Sequence, residues 1–127
     1  MRTLICLLAA GLAAVAVPAT ARPARWTTIG STTIHTGRHS STILVHNPRA
    51  FREIRLCSLR NSVNLHRYTV EFSRGATQSI PVRGPMRPDG CTASRDLHSP
   101  PRSIRSVTLH FPRWHQRILP HIRVEAR

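Results

Sequence analysis

Ser94, Asp96 and His98 supply the three side-chain types of a hydrolase triad within five residues. Alternate positions on one strand would put all three on the same face, each about 7 Å from the next, too far for the serine–imidazole–carboxylate hydrogen bonds that such catalysis needs. No Gly-x-Ser-x-Gly turn is present to raise the serine, so the sequence argues against an enzyme of this kind. Eight histidines, His35, His39, His46, His66, His98, His110, His115 and His121, could ligate a metal. A zinc or copper site needs two to four ligands converging at about 2 Å. His35 and His39 would share a face only on a helix, and their segment reads as a strand end and a loop. The rest are scattered, with no Cys-x-x-Cys partner, so no cofactor is expected; a histidine-based metal-binding module stays as an alternative. The five acidic residues, Glu53, Glu71, Asp89, Asp96 and Glu125, each have arginine or apolar neighbours and read as ion-pair partners rather than acid–base catalysts.

The charge balance is extreme. All 19 basic residues are arginine, and the formal net charge is +14. A field of that sign attracts polyanions, although a wholly lysine-free basic complement also fits the codon bias of a GC-rich genome. Among the aromatics, Trp114 in Arg113-Trp114-His115-Gln116-Arg117 stands out as flanked by charge. Tryptophan favours membrane interfaces and arginine pairs bidentately with phosphate. Arg113, Trp114 and Arg117 are therefore the candidate contacts to an anionic lipid or lipopolysaccharide surface, or to another polyanion. The competing reading, which is the favoured one for Trp114 itself, is a loop tryptophan folded back onto the end of the domain.

The elements that would carry these residues begin after residue 21. Met1-Arg2-Thr3 precedes an apolar run, Leu4 to Val17, of 14 residues. Spanning a bilayer takes about 20, so the run is too short to anchor the chain. Pro18 follows, then Ala19-Thr20-Ala21, with small residues where a signal peptidase reads them. Residues 1–21 thus read as a helical signal peptide cleaved after Ala21, and the remainder, 22–127, as a single secreted or periplasmic domain with no transmembrane segment. Two cysteines remain in it, Cys57 and Cys91, and an oxidising compartment makes their pairing the expectation.

Alternation of apolar and polar residues at period two predicts an all-β antiparallel sandwich of about eight short strands. They are placed at Trp26–Thr36, Thr42–His46, Phe51–Leu59, a hairpin over Val63–Arg83, Thr92–Leu97, Arg102–Phe111 and a last strand from Ile122. Gly30 marks a bulge or a close-packing point. Ser73-Arg74-Gly75-Ala76 forms the hairpin turn, with Gly75 free to take a positive φ. A phase change near His66-Arg67 implies a bulge, and Pro112–Pro120 reads as loop. On the third strand Ile54 and Leu56 alternate with Glu53, Arg55 and Cys57. If the isoleucine and leucine are core, Cys57 faces away from it.

The segments Trp26-Thr-Thr-Ile-Gly30, Phe51-Arg-Glu-Ile-Arg-Leu56, Val70-Glu-Phe-Ser-Arg-Gly75, Gln78-Ser-Ile-Pro-Val82, Ser94-Arg-Asp-Leu97 and Arg102-Ser-Ile-Arg-Ser-Val107 resemble a family of small exported bacterial proteins of unknown function, DUF2541-like. The resemblance covers most of the chain after residue 21 and implies an all-β sandwich in the periplasm or envelope. It brings no catalytic residues. The arginine and histidine content and the two cysteines of the domain depart from the family pattern.

Overall fold

The computed structural model describes residues 25–127 and, before them, Gly11 alone; the predicted signal peptide and its cleavage point lie outside the described residues. Nine strands follow in order: β1 (Thr27–Thr33), β2 (Ser40–Leu44), β3 (Ala50–Phe51), β4 (Glu53–Leu59), β5 (Arg67–Phe72), β6 (Thr77–Pro81), β7 (Arg95–Asp96), β8 (Arg102–His110) and β9 (His121–Ala126). They form two antiparallel sheets, one ordered β1-β9-β4-β7, the other β2-β8-β5-β6 with β3 paired to the start of β8. Among the described residues there is no helix, and hence none long and apolar enough to cross a membrane.

The period-two pattern is what buries the core. Tyr68, Val70 and Phe72 on β5 face Ile54 and Leu56 on β4 and Ile122 and Val124 on β9, all fully buried, while the intervening residues point outward. Between β5 and β6, Gly75 takes φ +86° in the turn, a conformation that a side chain would strain.

Phe51 to Leu59 is not one strand. Phe51 and Ile54 both join the hydrophobic core although three residues apart, a spacing that would put them on opposite faces of one continuous strand. The chain instead bends at Arg52 and changes sheets: Phe51 pairs with Arg102 on β8, and Ile54 with Ala126 on β9. Arg52 and Glu53 both donate their N–H groups to the Arg127 carbonyl at this crossing. The strand expected over Thr92–Leu97 shortens to Arg95–Asp96. The phase change at His66-Arg67 is real, with both residues exposed, but there the chain enters β5 from an irregular segment.

Gly30 serves both purposes expected of it. The β1–β9 register shifts between Thr28 and Gly30, and a Cβ on Gly30 would stand 2.6 Å from Ile43 Cγ2 and 3.3 Å from the Leu44 carbonyl oxygen. This close approach joins the edges of the two sheets. Gly30→Ala is expected to cost about 1–3 kcal/mol by overpacking, read as a lower urea midpoint at unchanged slope.

Candidate functional site

β1, β4, β6 and β8 end, and β2, β5 and β9 begin, at one pole of the sandwich. Four loops close this pole and hold one another. The Gly37 N–H donates to the Trp114 carbonyl at 2.8 Å, the Trp114 N–H to Arg38 at 3.0 Å, and the Phe111 N–H to His39 at 3.0 Å. Val63 and Met86 exchange a reciprocal pair of bonds at 3.0 and 2.8 Å. The Asn61 side-chain amide donates to Gln116 Oε1 at 2.9 Å and to the Ile118 carbonyl at 3.0 Å.

This pole presents seven exposed arginines, Arg38, Arg60, Arg67, Arg83, Arg87, Arg113 and Arg117. None of them forms an ion pair among the described residues: the four ion pairs belong to Arg55, Arg105, Arg123 and Arg127. Asp89 is the one carboxylate in these loops. Six of the eight histidines, all but His46 and His98, also lie at the pole. The sequence scatters them, and the strand registers gather them; His110, for example, stands opposite both Arg67 and Ser40. Burial lowers the His110 pKa, and the positive charge of Arg67 and of His39 lowers it further. The smaller, second cause reflects basic groups brought close together.

Of the three residues expected to touch an anionic surface, Arg113 and Arg117 are exposed and Trp114 is not. Its backbone bonds to Gly37 and Arg38 draw it inward, leaving the residue 7% exposed and its Nε1 without a partner. The ring lines a cavity of about 280 Å³ with Val63, Phe111 and Arg113. The apolar group that the loop does present is Ile118, 61% exposed, beside Arg117. Sequence reasoning passed over it in favour of the tryptophan. The available signal was a lone isoleucine between Pro112 and Pro120 with no strand to bury it.

Cys57 and Cys91 form a disulfide across an antiparallel bridge, with Cα atoms 4.0 Å apart. Cys57 does face away from the core, as its phase requires, and is still 2% exposed. Ser94, Asp96 and His98 are all exposed and share no side-chain hydrogen bond; Gln78 bridges the Asp96 carbonyl and the His98 N–H instead. Among the described residues, the one set of three metal-type donors within reach of one another is Cys57, Cys91 and Glu125, and its sulfurs are consumed in the disulfide. Three of the five acids, Glu53, Glu71 and Glu125, are ion-paired as expected; Asp89 and Asp96 are not.

A family model described as a domain of unknown function, DUF2541, matches residues 3–117. No curated protein matches the chain. Among solved structures, AlgX of Pseudomonas aeruginosa is similar in fold, with a TM-score of 0.54 at 13% identity over 77% of this chain. The match spans 26% of AlgX, about a quarter of its length.

Proposed function

Because the chain belongs to the DUF2541 family, a domain of unknown function, its role has to be read from its own surface, and we propose that it is an exported, non-enzymatic module that binds an anionic lipid surface through the arginine-rich pole. The observation that carries this reading is the group of seven exposed, unpaired arginines with an exposed isoleucine among them. Arginine is the side chain best matched to phosphate headgroups, whether of phospholipid or lipopolysaccharide. Ile118 supplies an apolar contact at the headgroup level, in place of the buried Trp114. Export is supported by the apolar run at Leu4–Val17 and by the disulfide, which persists in oxidising compartments.

The test is co-sedimentation with phosphatidylcholine vesicles, with and without phosphatidylglycerol or lipopolysaccharide. Binding should require the anionic component and weaken at least about tenfold as salt rises and the Debye length shrinks. A basic side chain near such a surface contributes about 1 kcal/mol, so Arg113→Gln with Arg117→Gln should weaken binding about 30-fold. Acidification should strengthen it, since histidine gains charge between about pH 8 and 5 and His110 lies at the pole. His110, flanked by Arg67 and His39, would charge late in that range. Salt-independent binding, or none, would overturn the reading.

A further inference from the structure

A second cavity adjoins the arginine-rich pole, with which it shares Arg83, and opens along the side of the sandwich. It lies between β6 and the segment from Cys91 to Arg95 that runs beside β4, and its volume is about 230 Å³. Tyr68 is one of its walls. The residue is fully buried, and its hydroxyl has no hydrogen-bond partner. The Thr92 hydroxyl, which accepts the Leu56 N–H at 3.0 Å, is near enough to lower the Tyr68 pKa but does not meet the geometry of a hydrogen bond to it. Burial pushes the Tyr68 pKa up to about 12, against opposing pulls from Arg95 and Thr92, so the hydroxyl keeps its proton and remains a donor. A buried donor left without an acceptor is costly, and native structures seldom carry one without a reason. Ile80, Val82 and Met86 give the cavity an apolar side, and Arg83 and Arg95 give it cations. Neither arginine is ion-paired among the described residues.

We infer that this cleft binds a small organic anion with an apolar body, its oxyanion held between the Tyr68 hydroxyl and the Arg95 guanidinium and its body against Ile80, Val82 and Met86. The chemistry follows from the lining. A donor that cannot itself accept a charge suits a carboxylate or phosphate oxygen, the guanidinium neutralises the ligand as it leaves water, and the aliphatic wall rewards a hydrocarbon portion. The size is consistent, since a cavity of roughly 150 Å³ already admits benzene. This site goes beyond the lipid-surface reading and does not rest on it.

Benzoate is the probe, with benzyl alcohol as its neutral counterpart and inorganic phosphate as a head without a body. In a titration of the isotope-labelled protein, benzoate should shift amide resonances around Tyr68, Met86, Thr92 and Arg95. Benzyl alcohol and phosphate should each bind at least about tenfold more weakly. Tyr68→Phe removes a single unpaired oxygen, and it should weaken benzoate about 10- to 100-fold, the range for a hydrogen bond to a charged group. Arg95→Gln, at an exposed position, should do the same and serves if the tyrosine variant does not fold. Arg113→Gln with Arg117→Gln should leave benzoate unaffected, which separates this cleft from the loop that carries those two arginines. Absence of shifts at about 10 mM benzoate, equal affinity of the wild type and both cleft variants, equal affinity for benzyl alcohol, or shifts confined to the pole would each overturn the assignment.

Discussion

Cys57→Ala with Cys91→Ala, or reduction of the disulfide, is expected to remove about 3–4 kcal/mol of stability. The bridge joins positions 34 residues apart, and closing a loop of that size in the unfolded chain accounts for an effect of this order. Domains of this size are stable by only about 5–15 kcal/mol in all, so between about a fifth and four-fifths of the margin is at stake. The structure shows why other contacts cannot replace the bridge. The long connection from Pro81 to Arg95 has no strand of its own, and around Cys91 it is tied to β4 by two backbone bonds, Ser58 N–H to the Gly90 carbonyl and Thr92 N–H to the Leu56 carbonyl. Both flank the disulfide and would fray with it. Because Cys91 and Thr92 also line the Tyr68 cleft, loosening this segment should abolish the cleft before the core unfolds. Urea unfolding with and without reductant measures the first effect, as a shift in midpoint. A loss below about 1 kcal/mol would show that the connection is held by something other than the bridge.

The fold was legible in the sequence wherever burial alternates strictly. Tyr68, Val70 and Phe72, or Ile122, Val124 and Ala126, leave one solution for which face is inside. It was less legible where the chain changes sheets. Phe51-Arg52-Glu53-Ile54 has no glycine or proline to mark its bend, because the bend is imposed by pairing with β8 on one side and β9 on the other. The candidate site was legible in composition and not in arrangement. Arginine abundance is a property of the sequence, but the gathering of seven unpaired arginines and six histidines at one pole depends on which strand ends coincide. Trp114 shows the same limit: its flanking charges pointed to exposure and its aromatic ring to a place folded back on the domain, and what decides for burial is a set of backbone bonds to a loop more than seventy residues away in sequence. Tyr68 gave no local sign at all. In a strand pattern it is another apolar residue, and only the packed structure reveals that its hydroxyl lacks a partner.

Glu125→Gln is expected to destabilise the domain by about 2–3 kcal/mol, whereas Glu71→Gln should cost under about 1 kcal/mol, because the two carboxylates hold arginines in different surroundings. Glu125 lies on the outward face of β9 and is 8% exposed. Its Oε2 accepts from Arg55 Nε at 2.7 Å and lies 2.7 Å from Arg55 Nη2, and its Oε1 lies 3.6 Å from Arg123 Nη2. Arg55 and Arg127 in turn stand over the Trp26 ring, 4.3 and 4.4 Å from its centroid, and Arg127 pairs with Glu53. One carboxylate thus balances two partly buried guanidiniums in the middle of a stacked row. Neutralising it leaves Arg55 and Arg123 facing each other, with the buried Nε of Arg123 already lacking a partner. Loss of one member of a buried pair costs about 3–5 kcal/mol, and the 30% and 39% side-chain exposure of the two arginines scales that down. Glu71 meets Arg105 at 3.4 Å with the side chains 40% and 61% exposed, where water screens the pair. Comparing the urea midpoints of the two variants removes the common effect of adding one positive charge to an already cationic protein. Equal losses would mean that overall charge, rather than this local row, sets the stability of the four-stranded sheet. The unequal result would show the carboxylates concentrated where they hold the fold, leaving the arginines of the loop pole uncompensated and free to meet an anionic partner.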